Sequence, residues 1–145
     1  MRQILQSLRS IYRNYKIIPL FLCVGVILDY SLTFYFADSI EMIMEHEFSP
    51  TLVFAVEHNI VLPYLALTVV FYYFMGYVIL KFLEDEAIYP VGVFIILLMS
   101  ITHVLGGLSW YVLSEAYSNM IFMLSMTSII IALSVFGYEI FRKEQ

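Results

Sequence analysis

Four stretches of this chain, roughly residues 17–38, 60–82, 88–113 and 117–141, each run for more than 20 residues on almost wholly apolar side chains. A hydrocarbon layer about 30 Å thick is crossed by ~20 residues of helix, so each stretch is long enough to span it. Inside lipid a span must satisfy its own backbone hydrogen bonds, and a helix does so. The expected fold class is therefore all-α, an integral membrane four-helix bundle forming a single transmembrane domain over 1–145. Composition argues against a soluble domain, since 62% of the residues are hydrophobic and 13% charged, where soluble domains hold about half and a quarter.

The first stretch follows Arg2, Arg9, Arg13 and Lys16 as a signal peptide would. It is too long for a signal-peptide core, and no small-x-small cleavage site follows it cleanly, so it is expected to remain as helix one. Cys23, the only cysteine, lies within it and rules out an intrachain disulfide.

Orientation follows from the basic residues, which are retained on the cytoplasmic side. With four crossings, the N-terminal arm, the second connection and the C-terminal tail share one face. All seven basic residues fall there: Arg2, Arg9, Arg13, Lys16, Lys81, Arg142 and Lys143. The expectation is a multi-pass plasma-membrane protein with both termini cytoplasmic. The opposite, outer face carries Asp38, Glu41, Glu45, Glu47, Glu57 and Glu115 and no lysine or arginine. That charge balance excludes nucleic acid as a partner, because binding it needs a basic patch. The arm itself, residues 1–16, places Ile4, Leu5, Leu8, Ile11, Tyr12 and Tyr15 at helical spacing, the pattern of an amphipathic helix in the inner interface or of an extension of helix one.

Most of the remaining polarity sits in "MEHEFSPTLVFAVEHN", residues 44–59. Ser49-Pro50 is a helix start, with serine as cap and proline at the first helical position. A helix unbroken from Pro50 to Phe82 would be about 49 Å long, too long for one crossing. Asn59 tolerates the left-handed conformation that ends helices, so a short helix over 50–58 should precede a crossing helix that begins at 60. Glu45, His46 and Glu47 are expected in a solvated loop before it. Glu84, Asp85 and Glu86 are expected to open helix three, where carboxylates favour the positive end of the dipole. Trp110-Tyr111 is expected in the outer aromatic belt, and Ser125, Ser128 and Ala132 form a small-residue stripe on helix four.

Asp29, followed four residues on by Thr33, and Glu47 two residues before Ser49-Pro50 give residues 20–80 a pattern that resembles a family of small archaeal and bacterial membrane proteins, catalogued as a domain of unknown function. Members usually have asparagine where this chain has Ser49, and often a lysine within the second crossing, where this chain has none before Lys81. The resemblance implies a similar fold and supplies no activity.

Depth brings the candidate site together. Asp29 lies near the middle of helix one, and His103 falls about 4–5 Å beyond the middle of helix three. An unpaired carboxylate at that depth is costly, so Asp29 should face the interior and have a partner. The expected outcome is a polar funnel, with Glu47, Glu57 and His58 at the rim and Asp29 and His103 below, supported by Thr33 and Asn59. As metal ligands the five rim and deep residues would suit a divalent ion, zinc, manganese or iron with the imidazoles, calcium with carboxylates alone. The same groups without metal would relay protons. The plainer readings are that Asp29 and His103 form a hydrogen-bonded pair fixing helix register, and that His58 and Asn59 only end a helix.

His-Glu-x-x-His is absent, and Phe54-x-x-x-His58 lacks the paired-glutamate and arginine element of the intramembrane prenyl-protein proteases. Met42, Met44, Met120, Met123 and Met126 read as packing residues rather than copper(I) ligands. Two function classes stay open: a module that binds or transports a divalent cation or protons, and a non-catalytic subunit of a larger membrane complex or homo-oligomer. A metal-dependent hydrolase, with Glu57 as base, ranks third, so the chain is read as a non-enzyme in preference to an enzyme.

Overall fold

The computed structural model describes residue 6 and residues 10–143. The expected amphipathic helix over 1–16 thus lies mostly outside the described residues. Within them, residues 10–12 are helical and the chain then turns. The Asn14 side chain accepts from the Lys16 and Ile17 amides at 3.0 and 3.2 Å, so the arm is not a straight extension of the first long helix.

Six helices follow: α1 (Ile18–Phe36), α2 (Ile40–His46), α3 (Pro50–Glu57), α4 (Val61–Phe82), α5 (Tyr89–Val112) and α6 (Glu115–Lys143). There is no strand among the described residues. α1, α4, α5 and α6 are long and apolar enough to cross a membrane. The chain thus has the character of a multi-pass membrane protein.

Local chemistry sets the boundaries. Ser49 caps α3 by accepting from the Leu52 amide at 3.4 Å, with Pro50 at the first helical position. Asn59 adopts φ 56°, the left-handed stop that separates α3 from α4. α2 corrects the loop expected around Glu45 and His46. Ser39 caps it, accepting from the Met42 amide at 3.1 Å, and Ile43 anchors it at 2% exposure. The acidic group 84–86 does not open a helix, since α5 begins at Tyr89. Instead Lys81 pairs with Glu84, and Arg142 pairs with both Glu86 and the buried Glu139.

α1 and α5 are the central pair and run parallel, with α4 antiparallel against α1 and α6 against α5. The α1–α5 crossing is close because glycine faces backbone. A Cβ on Gly25 would lie 2.6 Å from the Ser100 carbonyl oxygen, and one on Gly107 would lie 2.7 Å from the Asp29 carbonyl oxygen and 2.9 Å from its Cα. Small residues let helix backbones approach in this way. Ser100 adds a cross-helix bond, its hydroxyl donating to the Phe21 carbonyl at 2.6 Å.

Two apolar clusters bracket that crossing. One, with Leu22, Val26, Leu80, Val93 and Ile96, fills the end that carries Lys16, Lys81 and Arg142. The other, Ile43, Leu52, Val56 and Trp110, lies beneath the α2–α3 cap at the acidic end. Trp110 is therefore not a belt residue. At 8% exposure it is the floor on which the cap packs, whereas its neighbour Tyr111 is exposed. The N-terminal arm, the α4–α5 turn and the end of α6 meet at one end of the molecule, through Tyr15 on Tyr77 and Arg142 on Glu86.

Candidate functional site

Asp29 and His103 meet between the two clusters. The His103 Nδ1 and Asp29 Oδ2 atoms are 2.7 Å apart, and each side chain is 20% exposed. The geometry follows from the α1–α5 crossing, because Gly106 and Gly107 leave the space that the Asp29 residue fills. A Cβ on Gly106 would stand 3.3 Å from Asp29 Oδ1. Asp29 lies about 3 Å beyond the middle of α1 and His103 about 4 Å beyond that of α5, at 1.5 Å per residue. Thr33, one turn further along α1, is buried at 2% exposure.

Tyr72 of α4 closes a third side of the pair, its ring edge-on to the imidazole with centroids 5.2 Å apart. Tyr30, next to Asp29 in the chain, packs edge-on against Tyr64 of α4. Their hydroxyls are 3.1 Å apart. The Tyr64 hydroxyl is also 2.9 Å from Thr51 Oγ1, which is 3.1 Å from Ser49 Oγ. Glu47 ends this series, its Oε1 accepting from the Ser49 amide at 2.8 Å. Burial pushes the Glu47 carboxyl above its ordinary value, and the Asp29 charge adds to the rise, while the Ser49 amide opposes it.

The rim is less assembled than the sequence suggested. His58 is the C-cap of α3. Its Nδ1 lies 2.9 Å from the Phe54 carbonyl and its ring stacks on Phe54 with centroids 4.0 Å apart. Glu57 Oε2 is 4.0 Å from His58 Nδ1, with both side chains at least half exposed. Asn59 serves the helix break. Among the described residues no three histidine, cysteine, aspartate or glutamate side chains come together as a metal-ligand set. The expectation of one metal centre from Asp29, Glu47, Glu57, His58 and His103 is corrected on this point: α3 directs Glu57 and His58 to solvent and only Asp29 and His103 join. Met120 and Met123, expected to fill the core, are instead exposed on α6.

The pair has acid–base chemistry. Nδ1 and Oδ2 can share a proton in either direction, and Nε2 offers a second position. An apolar cavity between α4, α5 and α6, lined among others by Ile79, Ile95 and Phe136, has no ionisable group in its lining. Tyr30, Tyr64, Thr51 and Tyr72 were missed as site residues from sequence. The visible signal was the stripe Tyr64, Thr68 and Tyr72 at four-residue spacing on one face of α4.

The fold and site define a helical, multi-pass membrane protein with an aspartate–histidine pair enclosed between its spans. Comparison with models of protein families, with curated proteins and with solved structures finds no match.

Proposed function

We propose that this is a plasma-membrane protein with both termini cytoplasmic, in which Asp29 and His103 form a proton-binding centre in exchange with the acidic, outer face. The carrying observation is the 2.7 Å contact between carboxylate and imidazole, enclosed by α1, α4 and α5. Ionisable residues in spanning helices are costly and face sites of proton or ion traffic or of internal pairing. The distribution of the seven basic residues supports the orientation. Protons are favoured over a divalent metal because two ligands meet at the pair where a metal centre needs three or more. The residues behind the family resemblance, Asp29, Thr33, Glu47 and Ser49-Pro50, border this centre or its outer approach, and membership in that family is part of the proposal.

Infrared difference spectra of the protein in lipid nanodiscs, recorded between acid and neutral pH, test the reading. The carboxyl and imidazole bands of the pair should change together, as expected of a coupled pair; Asp29→Asn should remove the carboxyl change and move the imidazole change to a different pH. A spectrum in which neither Asp29 nor His103 responds to pH would leave the pair as a structural clasp, such as an assembly subunit would need.

A further inference from the structure

We propose that the hydroxyls of Tyr30, Tyr64, Thr51 and Ser49 form the proton path between the outer face and the Asp29–His103 pair; this rests on reading that pair as a proton-binding centre.

Three features carry it. First, the hydroxyls are consecutive, at 3.1, 2.9 and 3.1 Å, and join α1, α4 and the α3 cap across residues far apart in sequence. Second, at each of the three contacts either oxygen can donate. A chain that can be reversed link by link can conduct a proton. By contrast the hydroxyls of Ser31, Thr68, Ser100, Thr102, Ser128 and Ser134 each donate to a backbone carbonyl, which does not pass a proton on. Third, the chain has the right ends. Thr51 is exposed and Ser49 half-buried beside Glu47, while the Tyr30 hydroxyl lies close enough to Asp29 to feel its charge.

The transfer balances without any co-reactant. A proton taken up at the Ser49 or Thr51 oxygen displaces that hydroxyl's own proton to the next oxygen, and so on to Tyr30. The last step, from the Tyr30 hydroxyl to Asp29, belongs to the proposal and takes one bridging water to close. Each hydroxyl ends protonated and reversed, and one proton has moved from the outer solution to the pair. The ionisable groups around the path are Asp29 and Tyr30 on α1, Tyr64 and Tyr72 on α4, His103 on α5, and Glu47 at the cap. Glu47 is placed to draw protons to the outer end.

The test is a caged-proton pH jump on the full-length protein in nanodiscs, followed by time-resolved infrared bands of the pair. Tyr64→Phe keeps the ring against Tyr30 and removes two links, and Thr51→Val keeps the shape and removes two. Both should slow protonation of the pair by on the order of a hundredfold or more, the scale of a lost proton-transfer group, and leave the titration midpoint unchanged. Thr68→Val, whose hydroxyl is outside the chain, should match the unmodified protein. Should one variant fail to fold, the other decides. Unchanged rates in the folded variants overturn the path while leaving the centre standing. Absence of any pH response of the pair in the unmodified protein overturns the centre and the path together.

Discussion

Gly107→Ala probes the helix crossing on which the site depends. The added methyl carbon would lie 2.7 Å from the Asp29 carbonyl oxygen, and 2.9 Å from both its Cα and the Leu32 Cβ. Two of these three atoms are backbone and cannot swing aside. Carbon pairs sit comfortably at about 3.5 Å or more, so α5 must move off α1 by roughly 0.6 Å. The same displacement would stretch the 2.7 Å contact of His103 with Asp29 to about 3.3 Å, past the usual hydrogen-bond range. Forced overpacking of this kind costs about 1–3 kcal/mol. Gly137→Ala is the matched control, because a Cβ there meets nothing within 4 Å, and helix propensity alone should make it neutral or stabilising by up to about 1 kcal/mol. Reversible unfolding in mixed micelles measures both. The expected result is a loss for Gly107→Ala, with a shifted His103 nitrogen resonance, and none for Gly137→Ala. Equal stability of the two variants would refute the close approach.

Removing one member of the pair should cost more than removing both: Asp29→Leu or His103→Leu alone strands a largely enclosed polar group, at about 1–3 kcal/mol, and the double variant should recover part of that loss in the same unfolding assay. Glu47, pushed up from an ordinary value of 4.5 by burial, favours the folded state while protonated; its contribution is complete below that value and is lost as pH rises through the folded one. Hydrogen exchange in the α2–α3 cap should therefore quicken from acid to neutral pH beyond its intrinsic pH dependence, and Glu47→Gln should flatten the change. Leu113 holds φ 49° at the end of α5 and is exposed, so Leu113→Gly should stabilise the protein by about 1 kcal/mol in thermal unfolding, the strain of a left-handed non-glycine residue.

Much of the architecture was legible because lipid spans leave long apolar runs, and the four crossing helices begin and end within about two residues of the expected bounds. The pairing of Asp29 with His103 was legible for a related reason: two costly groups at similar depth have few other ways to be neutralised. Glu57 and His58 did not join them because α3 exposes both, and their sequence neighbourhood carries no sign of which way that short helix turns. α2 escaped notice because seven residues make no periodic pattern long enough to read, although Ser39 with Ile40 and Ile43 is a cap before an apolar pair. Trp110 looked like a belt residue by position, and only the cap folding over it converts it to core. The hydroxyl series needs Tyr30 and Tyr64, 34 residues apart, to face each other, and this depends on the antiparallel register of α1 and α4.

The most direct measurement is the distance from His103 Nδ1 to the Asp29 carboxyl carbon by solid-state nuclear magnetic resonance in lipid bilayers, with both residues isotopically labelled. An Nδ1–Oδ2 contact of 2.7 Å requires a strong direct coupling between those nuclei. Absence of that coupling would contradict the pairing on which the whole site is built.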